Sequence, residues 1–259
     1  MHFVTLTSDW KNDDFYTGAL KGALLSSCEN ASIITLSKQI KAYSVAEAAF
    51  VVRNSYKHFP KGTVHIITVG SDIEPHSKKL AARIDDHYFI SSDNGIFGLL
   101  GDAEEVEVVS IHLDETESIH SFPELSIFAK AAGRILNGEK LETIGVSTQE
   151  YKKQVPLRAT LENNTITGAV IYIDSYGNAI TNISTDLFER ICKDREFTIY
   201  VQSKHYKITK LNHFYSETSA GDLIAIFNSL KLLEIAIRNG SAKDLLNLNT
   251  DSTIRVEFN

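Results

Sequence analysis

The opening stretch switches repeatedly between two periodicities, and this switching constrains the fold more than any other feature of the chain. HFVTLTS, from His2, alternates as a strand does. The run from Asp14 to about Ser27 has helical spacing, with Asp13 or Asp14 as the expected N-cap. ASIITLS is a second strand, and SVAEAAFVVRNSYKHF is a helix begun by Ser44 with Glu47 at capping-box spacing. TVHIITVG is the next strand. Strand, helix, strand, helix, strand implies a parallel sheet with right-handed crossovers. Shorter strands follow at KLAARI, HYFI and EEVEVVSI, with SDNG as a loop, and then a helix at FPELSIFAKAAGRILNG that stops at Gly138. The segment from Gly138 to Pro156 loses this pattern and becomes polar, which places a domain boundary there. Beyond it, TITGAVIYID, AITNIS, EFTIYV, HYKITK, DLIAIFN, LLEIAI and TIRVEF are short, closely spaced strands. Only DLFERICK and SAKDLLNL look helical there. The expected architecture is an α/β N-terminal domain with a mainly parallel sheet, residues 1–145, and a smaller C-terminal antiparallel β-barrel domain, residues 155–259.

A chain of 259 residues has room for two such domains, and 43% apolar content supplies their cores. A net charge of −7 without any basic run argues against a nucleic-acid partner. No apolar run approaches the ~20 residues that span a bilayer, so no membrane partner is expected. Cys28 and Cys192 make no disulfide framework and fit a reducing compartment. The N-terminus has no basic segment leading into an apolar one, so a cytoplasmic location is expected.

Phosphate loops, dinucleotide fingerprints, HExxH, GxSxG and clustered Cys/His ligands are all missing from the sequence, and no metal is expected. His65, alone in a strand pattern, reads as a core residue rather than a ligand. Four polar clusters at strand ends remain. SDWKNDDFY, from Ser8, follows the first strand, where an α/β sheet keeps its ligand crevice. It carries acids where a phosphate loop would carry glycines. Carboxylates there accept hydrogen bonds from ribose hydroxyls or hold a cation, and they repel phosphate. SSDNG, from Ser91, is also a common turn. IDSYGNAITNI, from Ile173, offers an aromatic face beside amide donors and acceptors, which suits the face and edge of a purine, although SYGN is also a plain hairpin turn. FNSLKLLEIAIRNGSA, from Phe227, brackets a buried strand with two turns.

In order, these segments resemble the family of S-adenosylmethionine hydroxide adenosyltransferases, which also contains the fluorinating and chlorinating enzymes that attack the same carbon with halide. The family's strand ending in (T/S)DFG, then D-x-Y and a helix with KG, is similar to SDWKNDDFYTGALKG. Its FP-x-GTVH is matched by FPKGTVH, its PDNG by SDNG, and its FA-x-AA by FAKAA. Its IDxFGNxxTNI and NSxGxLEIAxxxGSA are matched by IDSYGNAITNI and NSLKLLEIAIRNGSA. The resemblance implies a homotrimer without a cofactor, with S-adenosylmethionine, or another small adenosyl compound, as substrate or ligand. The ligand would lie between the N-terminal domain of one subunit and the C-terminal domain of its neighbour. The N-terminal domain would supply the ribose and methionine side, and the C-terminal domain the adenine side. By this resemblance Asp9 holds the ribose diol, Asp14 and Tyr16 lie near the methionine, and Tyr43 flanks the ribose. Asn94 stands in the matched SDNG. Tyr176 and Asn178 meet the adenine with Tyr215 as a second stacking ring, and Asp174 and Ser229 bind the amino-acid end.

The departures fall on the chemistry. The family's hydrolases handle water with an Asp, an Arg and a His, and these align with Gly70, Ser77 and Pro123. Asp72, Lys78, His120 and Glu124 are the candidate replacements, with Lys79 as an alternative cation. DFG has also become DWK, so the loop shape is expected to differ. The expected reaction is hydrolysis of S-adenosylmethionine to adenosine and methionine through an altered nucleophile site. The alternative is a binding protein that has lost the reaction. Halide transfer is the least expected, because Glu124 and the Lys78–Lys79 pair do not suggest a halide pocket.

Overall fold

His2–Thr7 forms β1, exposed at its first residue and buried on both faces from Val4 on, as an inner strand of a covered sheet must be. The computed structural model describes residues 2–11, 14–37, 40–71, 77–101, 106–112 and 121–259. It divides into two compact units, Met1–Pro156 and Leu157–Asn259.

The first unit continues with α1 (Phe15–Ser27), β2 (Ala31–Ser37), α2 (Val45–Arg53), β3 (Val64–Ile67), β4 (Lys79–Ile84) and β5 (His87–Ser92). It ends with α3 (Ile96–Leu100), β6 (Glu107–Ile111), α4 (Ala129–Leu136), α5 (Leu141–Ile144) and β7 (Gly145–Ser147). The sheet order is β2-β1-β3-β5-β4-β6-β7. Pairings from β2 to β5 are parallel, as the strand–helix alternation requires. Those from β5 to β7 are antiparallel, so the sheet is mixed rather than mainly parallel. The cause is local. Asp85 and Asp86 alone link β4 to β5, and both have positive φ, 50° and 63°. A two-residue turn of that kind matches strand twist and closes an antiparallel hairpin. Successive β3 residues face opposite cores. Ile66 packs with Leu20, Leu24, Phe128 and Ile135 from α1 and the α4 segment. Ile67 packs with Ala48, Val52, Phe89 and Ile96.

Two expected caps take other forms. Asp14 occupies the N-cap position of α1, but its carboxylate accepts from Lys11 N (3.1 Å) instead of from the helix. Asp13 lies outside the described residues. Ser44 makes no side-chain cap to α2, and Glu47 accepts from Lys41 N (3.0 Å). The helix expected from FPELS begins as a π-helical turn over Glu124–Phe128 and becomes regular only at α4. Segment 138–156, read as patternless, contains α5 and the edge strand β7.

The second unit holds β8 (Thr160–Glu162), β9 (Thr165–Ile173), β10 (Ala179–Ser184), α6 (Thr185–Cys192), β11 (Phe197–Val201) and β12 (Lys207–Ile208). Then come β13 (Leu223–Phe227), β14 (Leu232–Ile237), α7 (Ala242–Leu245) and β15 (Thr253–Phe258). The order β12-β11-β15-β9-β10-β14-β13 is antiparallel throughout. Asn212, just past β12, bridges to Ile226 of β13, so the sheet almost closes into a barrel. Its interior is filled by Ile166, Val170, Ile199, Val201, Leu233, Ile235 and Val256. Among the described residues, no helix is long and apolar enough to cross a membrane.

Candidate functional site

In the first unit, the carboxyl ends of β1 and β3 open onto a cavity of about 530 Å³. Asp9, Trp10, Lys11, Asp14 and Tyr16 line it from the β1–α1 turn. Ala42 and Tyr43 precede α2, Thr68, Gly70 and Ser71 follow β3, and Ser121, Phe122, Pro123 and Glu124 lead into the π-helical turn. This is the crevice where an open α/β sheet receives a ligand. Trp10, Tyr16 and Phe122 form one aromatic group. Phe122 stands edge-on to Trp10 (5.7 Å) and to Tyr16 (5.1 Å), and Trp10 and Tyr16 are 5.6 Å apart.

Asp9 Oδ2 accepts from Tyr43 N at 2.8 Å, which ties the β1 turn to the entry of α2. Tyr43 has φ 65° and is largely exposed, so this bond holds a conformation that a bulky residue rarely adopts unaided. Among the described residues, Asp9 Oδ1 has no hydrogen-bond donor. Glu124 is 4% exposed, a third carboxylate on the same cavity beside Asp9 and Asp14. Three acids and one lysine make this a cavity for hydroxyls or a cation, not for phosphate.

Among the described residues, Lys78, Lys79 and Asn94 do not line it. Lys78 is exposed, and its ammonium donates to Glu150 O (3.0 Å). Lys79 is buried instead and donates to Ser71 O (2.8 Å) and Ser92 Oγ (2.9 Å). Asn94 lines a neighbouring cavity of about 630 Å³ with Ser77, Asp93, Lys152 and Gln154. Its amide is spent internally, donating to Val69 O (2.8 Å) and accepting from Ile96 N (3.1 Å). It shapes the turn ahead of α3. Asp72 and His120 lie outside the described residues.

FPKGTVH contributes a scaffold rather than a lining. Gly62, at φ 82°, donates to Asp86 O (2.8 Å), and Lys61 pairs with Asp86 (3.0 Å). His65 is fully buried, with Nδ1 2.7 Å from Thr5 Oγ1 and Nε2 3.2 Å from His87 Nδ1. Phe89 stacks on its ring and Tyr56 meets it edge-on. Burial, then the neighbouring His87, pushes the His65 pKa down to about 3. It is the satisfied core histidine expected from its strand position.

In the second unit, Asp174, Tyr176, Asn178 and Tyr215 line one cavity of about 630 Å³ with Ser216 and the turn Ile237–Gly240. Asp174 organises the loop. Its Oδ1 accepts from Tyr176 N (2.9 Å) and Asn178 N (2.8 Å), and its Oδ2 from Asn178 Nδ2 (3.0 Å). This frees Asn178 Oδ1 and turns Tyr176 outward, 78% exposed. Tyr215 donates to the buried Glu234 at 2.6 Å. Burial and then that carboxylate push its phenol well above the ordinary range. Ser229 is exposed on the β13–β14 turn and does not line this cavity. Phe122 and Ser71 are lining residues that the sequence reading did not single out, and residues 237–240 belong to the fourth polar cluster, where they were given no individual role. An aromatic two positions before a buried acid, Phe122 and Glu124, was the available signal.

Residues 4–145 match the SAM hydroxide adenosyltransferase N-terminal domain, and residues 168–255 match the C-terminal domain of the same name. The chain belongs to the SAM hydroxide adenosyltransferase family. It is 26% identical to the (R)-S-adenosyl-L-methionine hydrolase of Methanocaldococcus jannaschii, over 100% of this chain and 97% of that protein. It is 21% identical to the fluorinase of Actinopolyspora mzabensis, over 98% of this chain and 96% of that one. A crystal structure of an uncharacterized conserved protein from Thermotoga maritima shares the fold, with a TM-score of 0.88 at 24% identity, covering 98% of this chain and 99% of that one. Within this SAM hydroxide adenosyltransferase family member, Gly70 and Pro123 line the Asp9 cavity, and Ser77 lines the neighbouring cavity that shares Gly70 and Tyr43.

Proposed function

We propose that the protein hydrolyses S-adenosylmethionine to adenosine and methionine, water attacking the ribose C5′ through a nucleophile site that differs from its relatives'. The Asp9 cavity carries this reading. Asp9 Oδ1 is placed to accept a ribose hydroxyl, and three rings with three carboxylates suit a positively charged sulfonium. Tyr43 flanks the ribose, while Asp14 and Tyr16 serve the methionine side. In the second unit, Tyr176 and Tyr215 offer faces for the adenine, and Asn178 Oδ1 accepts from an exocyclic amine. Asp174 acts through the loop it holds. Exposed rings at both cavities support the homotrimer as the functional form, each ligand completed by a neighbouring subunit. The sulfonium is already a good leaving group, so the protein's task is to place and desolvate water. Glu124 is the buried acid positioned to take the proton released.

One observation favours a second reading, binding without turnover. The positions where the family's hydrolases carry Asp, Arg and His hold Gly70, Ser77 and Pro123. One experiment separates the two. The protein is incubated with S-adenosylmethionine, adenosine and methionine are followed by chromatography, and Trp10 fluorescence is titrated in parallel. Adenosine from the wild type supports hydrolysis. A fluorescence response without adenosine supports binding alone. Asp9→Ala should weaken the fluorescence titration about tenfold or more, because ribose hydroxyls lose a charged acceptor. Unchanged affinity in that variant would remove the ribose assignment.

A further inference from the structure

We propose that Ser71 positions the attacking water, an inference that rests on the hydrolytic reading above. Its hydroxyl is buried, at 8% residue exposure, and has no hydrogen-bond partner. Among the described residues that line the Asp9 cavity it is the one such orphan. A buried hydroxyl without a partner costs free energy, and the usual resolution is an ordered water or a ligand. Ser71 is itself a lining residue of a cavity with polar walls, so a water there is within reach of a small rotation of its side chain.

The rest of Ser71 is fixed. Its carbonyl accepts from Lys79 Nζ (2.8 Å) and from Ser92 Oγ (2.7 Å), and Lys79 also donates to Ser92 Oγ (2.9 Å). The backbone is therefore clamped by two donors while the side chain stays idle. That combination preorganises a positioning group. The buried Lys79 ammonium also sets a positive charge behind Ser71, which favours oxygen as it gives up a proton. Ser71 follows Gly70, the position aligned with the family's aspartate, so a water held here is displaced by one residue from where that acid would hold it.

In the step itself, Ser71 Oγ accepts one O–H of water and turns a lone pair toward C5′. The O–C5′ bond forms while the C5′–S pair departs on sulfur, leaving neutral methionine thioether. The oxonium proton passes to a cavity carboxylate, of which Glu124 is the buried one. Substrate cation and water thus become adenosine, methionine and one proton.

The test compares Ser71→Ala and Ser71→Thr with wild type by adenosine formation, Trp10 titration and thermal melting. Ser71→Ala should lower kcat about 10²-fold, as expected for a nucleophile no longer held in place. KM and the Trp10 titration should stay the same. Its melting temperature should not fall, because no hydrogen bond is lost. Ser71→Thr should keep kcat within about tenfold of wild type, since it retains the hydroxyl. Wild-type kcat in Ser71→Ala overturns this proposal and leaves hydrolysis standing. A lower melting point, or a variant that does not fold, gives the hydroxyl a structural role and overturns it too. A wild type that binds but makes no adenosine overturns the hydrolytic reading and this proposal with it.

Discussion

Gly177 joins the two residues proposed to meet the adenine, and the structure permits little else there. Its φ is +79°, and a Cβ would clash with Ser241 Oγ and lie 2.8 Å from Ser241 Cβ. Ser241 cannot yield freely, because its hydroxyl accepts from Asp244 N (3.1 Å) and caps α7. Lys243 N donates to Gly177 O (2.8 Å), which joins loop and helix from the other side. For Gly177→Ala the left-handed backbone costs about 1 kcal/mol. Overpacking adds about 1–2 kcal/mol, and a displaced cap about 1 kcal/mol. The sum is about 3–4 kcal/mol. Gly221 is the internal control, with φ +89° and nothing within 4 Å of a built Cβ. Gly221→Ala should cost only the backbone share, about 1 kcal/mol. In urea unfolding followed by far-UV circular dichroism, with a slope of about 2 kcal/mol per molar, the midpoints should fall by about 1.5–2 M and 0.5 M respectively. Equal shifts for the two variants would refute the clash, and a Gly177→Ala loss under about 0.5 kcal/mol would refute the whole reasoning.

Two further perturbations probe the cores behind the cavities. His65 stays neutral in the fold, its pKa pushed down to about 3, whereas unfolded it titrates near 6.5. As pH falls the unfolded chain binds the proton first, so the stability is full above pH ~6.5 and declines by up to about 1.4 kcal/mol per unit toward pH 3. Lowering pH from 7 to 5 should therefore cost about 2 kcal/mol by denaturant midpoint, with a visibly flatter profile in His65→Gln. Identical profiles would show that His65 is not the titrating group. Tyr215→Phe takes the 2.6 Å donor from buried Glu234 and should cost about 1–3 kcal/mol. It keeps the ring, so adenosine affinity should change only a few-fold, and a collapse of affinity would assign the recognition to the hydroxyl.

The parts of the fold that were legible depend on local pattern. The β1–α1–β2–α2–β3 alternation and the antiparallel second half follow from apolar spacing alone. The mixed character of the first sheet depends on two aspartates, Asp85 and Asp86, adopting positive φ, and Asp-Asp is not a strong turn signature. The cap positions were legible, but the side-chain cap bonds did not form, for a related reason. Asp14 and Ser44 stand at the right positions, yet Asp14 is spent on Lys11 N and the Ser44 hydroxyl makes no cap, a choice made by loop geometry rather than by residue type. At the site, the acids and aromatics of SDWKNDDFY and IDSYGN were visible as clusters. Ser71 was not, since a serine with an idle hydroxyl differs from any other serine only through burial and the lack of a partner.

Two of the segments that carry the resemblance are also tightly constrained by the backbone. FPKGTVH needs Gly62 at φ 82° to bond Asp86 O, and it buries His65 between Thr5 and His87. IDSYGNAITNI needs Gly177 against Ser241, with Asp174 holding the loop by three hydrogen bonds. Substitution at such positions costs folding free energy whether or not a ligand is bound. Pro123 lines a cavity and Ser77 its neighbour, with Gly70 shared between them, so substitution there meets less packing than at Gly177. Folding alone thus accounts for the tight frame around Tyr176 and Asn178, whereas the residues lining the Asp9 cavity are under no such constraint from packing and must be tested by their chemistry.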